Sequence, residues 1–107
     1  MKKALNTIGI CKCANKLSYG ETLIKDIQKC KVNLVVICTD TSANSKKKII
    51  DKCNYYNCEY IVAFTQQEII KVISRVDPVS AIGIKDSNLA KKFKENMKEE
   101  GDVNGKE

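Results

Sequence analysis

Histidine and tryptophan are missing from this chain, and proline occurs once, at Pro78. Without histidine there is neither the usual general base near neutral pH nor the commonest neutral metal ligand, which sets aside His-dependent hydrolases and most metalloenzymes. Long apolar runs are missing too. None approaches the roughly 18 residues that a membrane span takes. The opening stretch, MKKALNTIGICKCANKLSYG, is basic at first but has no sustained apolar stretch or small-residue cleavage site, unlike a secretory signal. The glycine signatures that cradle phosphate, G-x-G-x-x-G and G-K-[ST], do not occur. Ser18, Ser42 and Ser74 have no histidine to activate them. These absences predict a non-enzymatic protein with no cofactor, no metal site and no membrane partner.

What is present is the composition of a globular domain. The chain has 107 residues, 43% hydrophobic and 30% charged, enough for one compact domain. No repeat or flexible linker divides it. Residues 1–98 read as a single α/β/α domain and residues 99–107 as a polar acidic tail. Charge is uneven along the chain. Residues 95–107 carry a net charge of −3, and residues 1–94 carry +9. A small basic body suits a polyanionic partner, nucleic acid first. A lysine-rich surface that serves only solubility gives the same balance.

Six cysteines stand at positions 11, 13, 30, 38, 53 and 58. The 11/13 and 53/58 pairs lack the two-residue spacing of zinc knuckles and thioredoxin-like motifs. Cys11, Cys30, Cys38 and Cys53 fall on apolar faces and are expected to be buried, reduced thiols. Reduced thiols imply a cytoplasmic location.

Helical and extended periods alternate. Ala4, Ile8, Cys11 and Ala14 share a helical face, predicting a helix over 3–15. A short extended segment, Leu17 to Gly20, follows. Leu23, Ile24, Ile27 and Cys30 mark a helix over 21–30, and the apolar run Leu34 to Cys38 reads as a strand covered on both faces. Asp40, Thr41 and Ser42 offer capping oxygens to a helix burying Ile49, Ile50, Cys53 and Tyr56. Tyr60 to Phe64 reads as a second buried strand, Thr65 as the cap of a helix carrying Ile69, Ile70 and Ile73, and Val79 to Ile84 as a third strand. Ser87 is expected to cap a last helix with Leu89, Ala90, Phe93 and Met97 inward. Such alternation predicts helices on both faces of a mostly parallel or mixed sheet.

Three segments carry the candidate chemistry. The first runs from Lys16 to Lys25, a turn entering a helix. Backbone N–H groups at a helix start favour phosphate or an acceptor-rich base edge, and Lys25 lies one turn in. A capped helix with an exposed lysine is the alternative. The second is Ser74-Arg75-Val76-Asp77 before Pro78, a loop that is otherwise an ordinary connection. The third surrounds Asp40, just past a strand end, where α/β folds place ligand groups and where an aspartate also serves as a helix cap. Lys46-Lys47-Lys48 follows it, a run that alone reads as a solvated face.

The segment Asp40-Thr41-Ser42-Ala43-Asn44-Ser45-Lys46-Lys47-Lys48, with Asp51-Lys52-Cys53-Asn54-Tyr55-Tyr56 after it, resembles the ribosomal-protein family that binds kink-turn RNA, often called the L-seven-Ae and L-thirty-e family, and in particular its bacterial YlxQ-type members. There an acidic-Ala-Ser-x-Asn-[ST] segment leads a helix that ends in a similar Asp-Lys-Cys-x-Tyr-Tyr run. The start, Ile8 to Leu17, fits the family's first helix more loosely, and the resemblance spans roughly residues 5–93. It implies a three-layer α/β/α sandwich with a small mixed sheet that recognises structured RNA, ribosomal or containing a kink-turn, in association with the ribosome and as a monomer. It also implies three RNA contacts: Gly20, Glu21, Thr22 and Lys25 at a helix start; Thr41 and Ser42 after the second strand; and Ser74, Arg75 and Val76 in a hydrophobic loop. Gly20 lies one residue nearer Lys25 than in the family pattern. Glu21-Thr22 stands where archaeal members carry the Asn-Glu pair that reads sheared G·A base pairs, and a carboxylate cannot donate to a base edge as Asn does. A protein-interaction module on the same fold remains the principal alternative, and a thiol redox or metal protein a further one.

Overall fold

The computed structural model describes residues 2–73 and 79–104. Nine elements follow in order: α1 (Lys2–Cys13), β1 (Leu17–Tyr19), α2 (Glu21–Gln28), β2 (Leu34–Ile37), α3 (Ala43–Tyr55), β3 (Tyr60–Val62), α4 (Gln66–Ile73), β4 (Ala81–Ile84) and α5 (Ser87–Asn104). The alternation read from the sequence is therefore the alternation in the fold. The strands form one sheet in the order β1-β4-β2-β3. β4 runs antiparallel to both β1 and β2, and β3 runs parallel to β2, so the sheet is mixed.

The pleat of β2 sorts the core into two halves, because successive side chains point to opposite faces. Leu34, Val36 and Cys38 join Ala4, Ile8 and Cys11 of α1, Ile69 and Ile73 of α4, and Ala90 and Phe93 of α5. Val35 and Ile37 join Leu23 and Ile27 of α2 and Ile49 and Cys53 of α3. Helices thus cover both faces, giving a three-layer α/β/α sandwich. Among the described residues, no helix is long and apolar enough to cross a membrane.

Local structure departs from the sequence expectations at five places. Tyr60 to Phe64 is not a buried strand. β3 is a short edge strand with Tyr60 and Val62 exposed, and only Ile61 packs against the core. Phe64 leaves the strand in the left-handed region (φ 67°) with its ring buried against Phe93, a costly backbone for an aromatic residue. Cys30 is exposed, not buried. α2 stops at Gln28, and Cys30 takes a φ of 58° while its N–H reaches the Ile27 carbonyl and the Lys31 N–H reaches the Asp26 carbonyl. This is the Schellman helix end, which turns the chain outward before the helical period can bury Cys30. The cap of α5 is Asp86, whose Oδ1 accepts the N–H groups of Asn88 and Leu89 at 2.8 and 3.1 Å; Ser87 is already inside the helix. Asp40 caps α4, not α3: its Oδ1 accepts the Gln66 N–H at 2.9 Å, while Ser42 caps α3 through the Ser45 N–H. Thr65 does cap α4, in a reciprocal box with Glu68. α5 continues through Asn104, into the segment read as a tail.

Gly83 lets α2 lie close on the sheet. A Cβ there would meet Leu23 Cδ1 at 2.6 Å and Val32 Cγ1 at 2.9 Å. Gly83→Ala should lower stability by about 1–3 kcal/mol, the usual cost of overpacking. Denaturant unfolding checks this, and an unchanged midpoint would mean that α2 has slack against β4.

All six cysteines are free. Burial, with the Asp86 charge behind it, pushes the Cys11 thiol from 9.0 up to about 11; burial, with Asp40 behind it, pushes Cys38 up to about 12. Both hold their protons more tightly folded than unfolded. Their contribution to stability is whole below about pH 9 and is lost as pH rises through about 11 and 12. The alkaline loss of stability should therefore be shallower in Cys38→Ser than in the parent chain. The new hydroxyl inherits the partner of the Cys38 Sγ, the Val79 carbonyl 3.4 Å away, so the variant should fold. Parallel alkaline limbs in paired urea titrations would remove Cys38 from this account.

Candidate nucleic-acid interface

Strand direction decides what meets at each end of the sheet. Tyr19, the last residue of β1, pairs with Ile82, and Ile37, the last residue of β2, pairs with Ala81. β1 and β2 therefore end where β4 begins. The starts of α2 and α3 follow those strand ends directly, and Val79 and Ser80, which emerge from the 74–78 segment, lead into β4 at the same end. The candidate segments at the starts of α2 and α3 thus approach one end of the sheet. Ser74, Arg75 and Val76 themselves lie outside the described residues.

Gly20 is exposed with a φ of 69°, and its position as N-cap of α2 brings no side-chain hydrogen bond to the helix start. The positive φ is what requires glycine there, since a Cβ would meet nothing within 4 Å. Glu21 opens α2. Thr22 and Lys25 are exposed. The helix start therefore has no side-chain cap and presents one hydroxyl and one ammonium to solvent, while the Leu23 N–H is taken by the Gly20 carbonyl at 3.2 Å.

α2 is held in place from behind. Ser18 Oγ, buried in β1, donates to Asp26 Oδ2 at 2.8 Å, and Lys85 Nζ lies 3.8 Å from the same oxygen. Asp26 is itself buried. A buried carboxylate needs such partners, and these two tie the middle of α2 to β1 and to the residue after β4.

The loop between β2 and α3 is the hub of this end. Cys38 N–H and Thr41 Oγ1 both donate to the Ser80 carbonyl, at 2.9 and 2.8 Å. Thr39 N–H donates to the Phe64 carbonyl at 2.8 Å. Thr41 is buried, so its side chain is committed inward, whereas Ser42 is exposed. Lys46, one turn into α3, donates back to the Thr39 carbonyl at 2.8 Å, and Lys47 and Lys48 are exposed beside it.

The structure brings Gly20, Thr22 and Lys25 to the same sheet end as Thr41 and Ser42. It adds Lys46, which the sequence shows only as part of a charge run, and Ser80, whose carbonyl joins the hub to β4. No local signal marks Ser80, because its two donors lie about 40 residues earlier in the chain. Among the described residues, no group of three or more Cys, Asp or Glu side chains could hold a metal ion.

The chain is similar to known proteins over most of its length. It is 41% identical over 95 residues to the RNA-binding protein YlxQ of Enterococcus faecium, covering 88% of this chain and 90% of that one. It is 43% identical over 54 residues to the RNA-binding protein YlxQ of Bacillus subtilis strain 168, covering 50% and 54%. Among solved structures, a Bacillus halodurans protein of unknown function superposes with a TM-score of 0.81 at 31% identity, over 87% of this chain and 94% of that one. The Giardia lamblia 15.5kD RNA binding protein shares the fold, with a TM-score of 0.71 at 16% identity over 87% and 80%. The family model of the Ribosomal protein L7Ae/L30e/S12e/Gadd45 family matches residues 2–94, which include every element from α1 to β4 and all the candidate segments, and the chain belongs to that family.

Proposed function

We propose that this protein binds structured RNA, ribosomal or kink-turn-containing, at the sheet end where α2 and α3 begin, and that it acts there without catalysis. The observation that carries the reading is the register of β4 with β1 and β2, which brings the α2 and α3 starts to one end beside Lys25, Lys46, Lys47 and Lys48. The α2 start docks in a widened groove. Its N–H groups face phosphate oxygens or base acceptors, and the lysines neutralise phosphates. Thr22, which both donates and accepts, reads base edges where Glu21 cannot donate. Ser42 makes the second contact, with Thr41 holding the hub behind it. Ser74, Arg75 and Val76 cover an unstacked nucleotide.

The names of the YlxQ relatives and family membership support RNA as the partner. A cytoplasmic, monomeric protein in association with the ribosome fits the same reading. Titration with a kink-turn RNA and with an unkinked duplex of equal length tests it. Tighter binding to the kinked RNA is expected. Equal affinity for both would remove kink-turn recognition, and binding to neither would favour the protein-interaction alternative.

A further inference from the structure

The far end of α3 carries a pair of thiols that the RNA reading does not use. Cys53 lies in the last turns of the helix and is fully buried; Cys58 follows the helix end and is half-buried. Asn57, at φ 57°, turns the chain so that the Cys58 N–H reaches the Cys53 carbonyl at 2.7 Å. This Schellman closure brings the residues at its two ends face to face, and Cys58 packs against the buried cluster that holds Cys53. Cys58 also lines an open surface cavity of about 560 Å³ together with Val32, Asn57 and Tyr60. One sulfur of the pair therefore meets solvent and the other waits behind it.

We propose that Cys58 and Cys53 form a peroxide-reactive dithiol site, with Cys58 the attacking thiol and Cys53 the resolving one. The Cys58 thiolate attacks one oxygen of hydrogen peroxide. The S–O bond forms and the O–O bond breaks, the sulfur loses two electrons, and the departing hydroxide takes a proton. The Cys53 sulfur then attacks the Cys58 sulfenic sulfur. The S–S bond forms, the S–O bond breaks, and the leaving hydroxide carries off the Cys53 proton as water. Two thiols and one peroxide thus become one disulfide and two waters.

The electrostatics agree with this division of roles. A hydrogen bond from Cys53 favours the Cys58 thiolate and lowers its pKa, against burial and the neighbouring Glu59 charge. The same hydrogen bond, then burial, raises the pKa of Cys53. As a thiol, Cys58 donates to the Val32 carbonyl 3.5 Å away; as a thiolate it accepts from Cys53. The site stands apart from the proposed RNA face: ten residues of α3 separate Ala43 from Cys53, about 15 Å along the helix.

Cys13 and Cys30 provide internal controls, since both are more exposed than Cys58. Exposure alone makes Cys58 the slowest of the three; thiolate character makes it the fastest. The full-length reduced chain is treated with limiting hydrogen peroxide, quenched with an alkylating agent and mapped by mass spectrometry. Trypsin leaves both thiols in the single peptide 53–71, which contains no other cysteine. That peptide should become lighter by two hydrogen atoms several-fold faster than Cys13 or Cys30 reacts, and a dithiol reductant should reverse the change. Cys53→Ala should instead leave a Cys58 sulfenic acid that a 1,3-dione traps. Slower reaction at Cys58 than at Cys13, or addition of oxygen to peptide 53–71 without loss of hydrogen, overturns the proposal. The competition within the unmodified chain decides the matter even if Cys53→Ala fails to fold.

Discussion

Affinity for structured RNA should fall about a hundredfold between roughly 50 and 200 mM monovalent salt, if about four phosphates are neutralised. The estimate follows from where the lysines stand. Lys25 on α2 and Lys47 and Lys48 on α3 are exposed near helix starts that share one end of the sheet. Lys46 spends one of its donors on the Thr39 carbonyl, which holds its ammonium group at the same end. Each phosphate contact releases a condensed counterion, so the logarithm of affinity falls with the logarithm of salt by about 0.9 per contact on a duplex and about 0.7 on a single strand. Four contacts give a slope of about −3.6 on a duplex and about −2.8 on a single strand. Fluorescence titrations at several salt concentrations measure it directly. Affinity that stays flat over this range would remove electrostatic docking, and with it the chief physical support for RNA as the partner. A slope much steeper than −4 would mean that bases spread over the +9 body of residues 1–94 contribute beyond this face.

Some of this arrangement is legible in the chain and some is not, and the division follows the range of the interactions. Helix periods repeat locally, so the helical pattern of Leu23 and Ile27, and that of Ile69 and Ile73, announces buried faces that the fold keeps. The four-residue apolar β2, buried at every position, is equally plain. β3 misleads because its apolar residues resemble those of β2. Whether a strand lies in the middle of a sheet or at its edge depends on sheet order, which no local pattern encodes. Cys30 misleads for another reason. A cysteine at a left-handed helix end is uncommon where glycine is the usual choice, so the helical period extends one step too far. Asp40 is a cap, as its residue type suggests, yet it serves a helix that begins 26 residues later. For the candidate face, residue type singles out Gly20, Thr22, Lys25 and Ser42 one segment at a time. Their meeting at one sheet end rests on pairing between residues far apart, Tyr19 with Ile82 and Ile37 with Ala81. Thr41 looks like a surface hydroxyl in sequence and is a buried donor in the fold because Ser80 lies within reach.

Lys25→Ala should weaken RNA binding about 10- to 100-fold, whereas Lys94→Ala should leave it nearly unchanged, although each removes one positive charge. Losing a charge-assisted hydrogen bond costs about 1.5–3 kcal/mol. Lys25 is exposed on α2, one turn beyond the uncapped helix start at Gly20. Lys94 sits on α5 with its Nζ 2.8 Å from Glu59 Oε1, and Glu59 immediately precedes β3, at the opposite end of the sheet from the α2 start. Its charge is thus both distant, beyond the roughly 8–10 Å over which salt leaves exposed charges in communication, and already compensated by a carboxylate. Loss of that surface pair costs the fold about 0–1 kcal/mol. Lys25 makes no described contact that its removal would break, so both variants should stay folded, which circular dichroism confirms before titration. Uniform attraction by a lysine-rich surface makes the two variants alike, and equal losses on kinked and unkinked RNA would abolish the site and leave only general polyanion binding. A loss in Lys25→Ala confined to the kinked RNA would show that Glu21-Thr22 stands in for the Asn-Glu pair of the archaeal members and that the helix start still reads the kink.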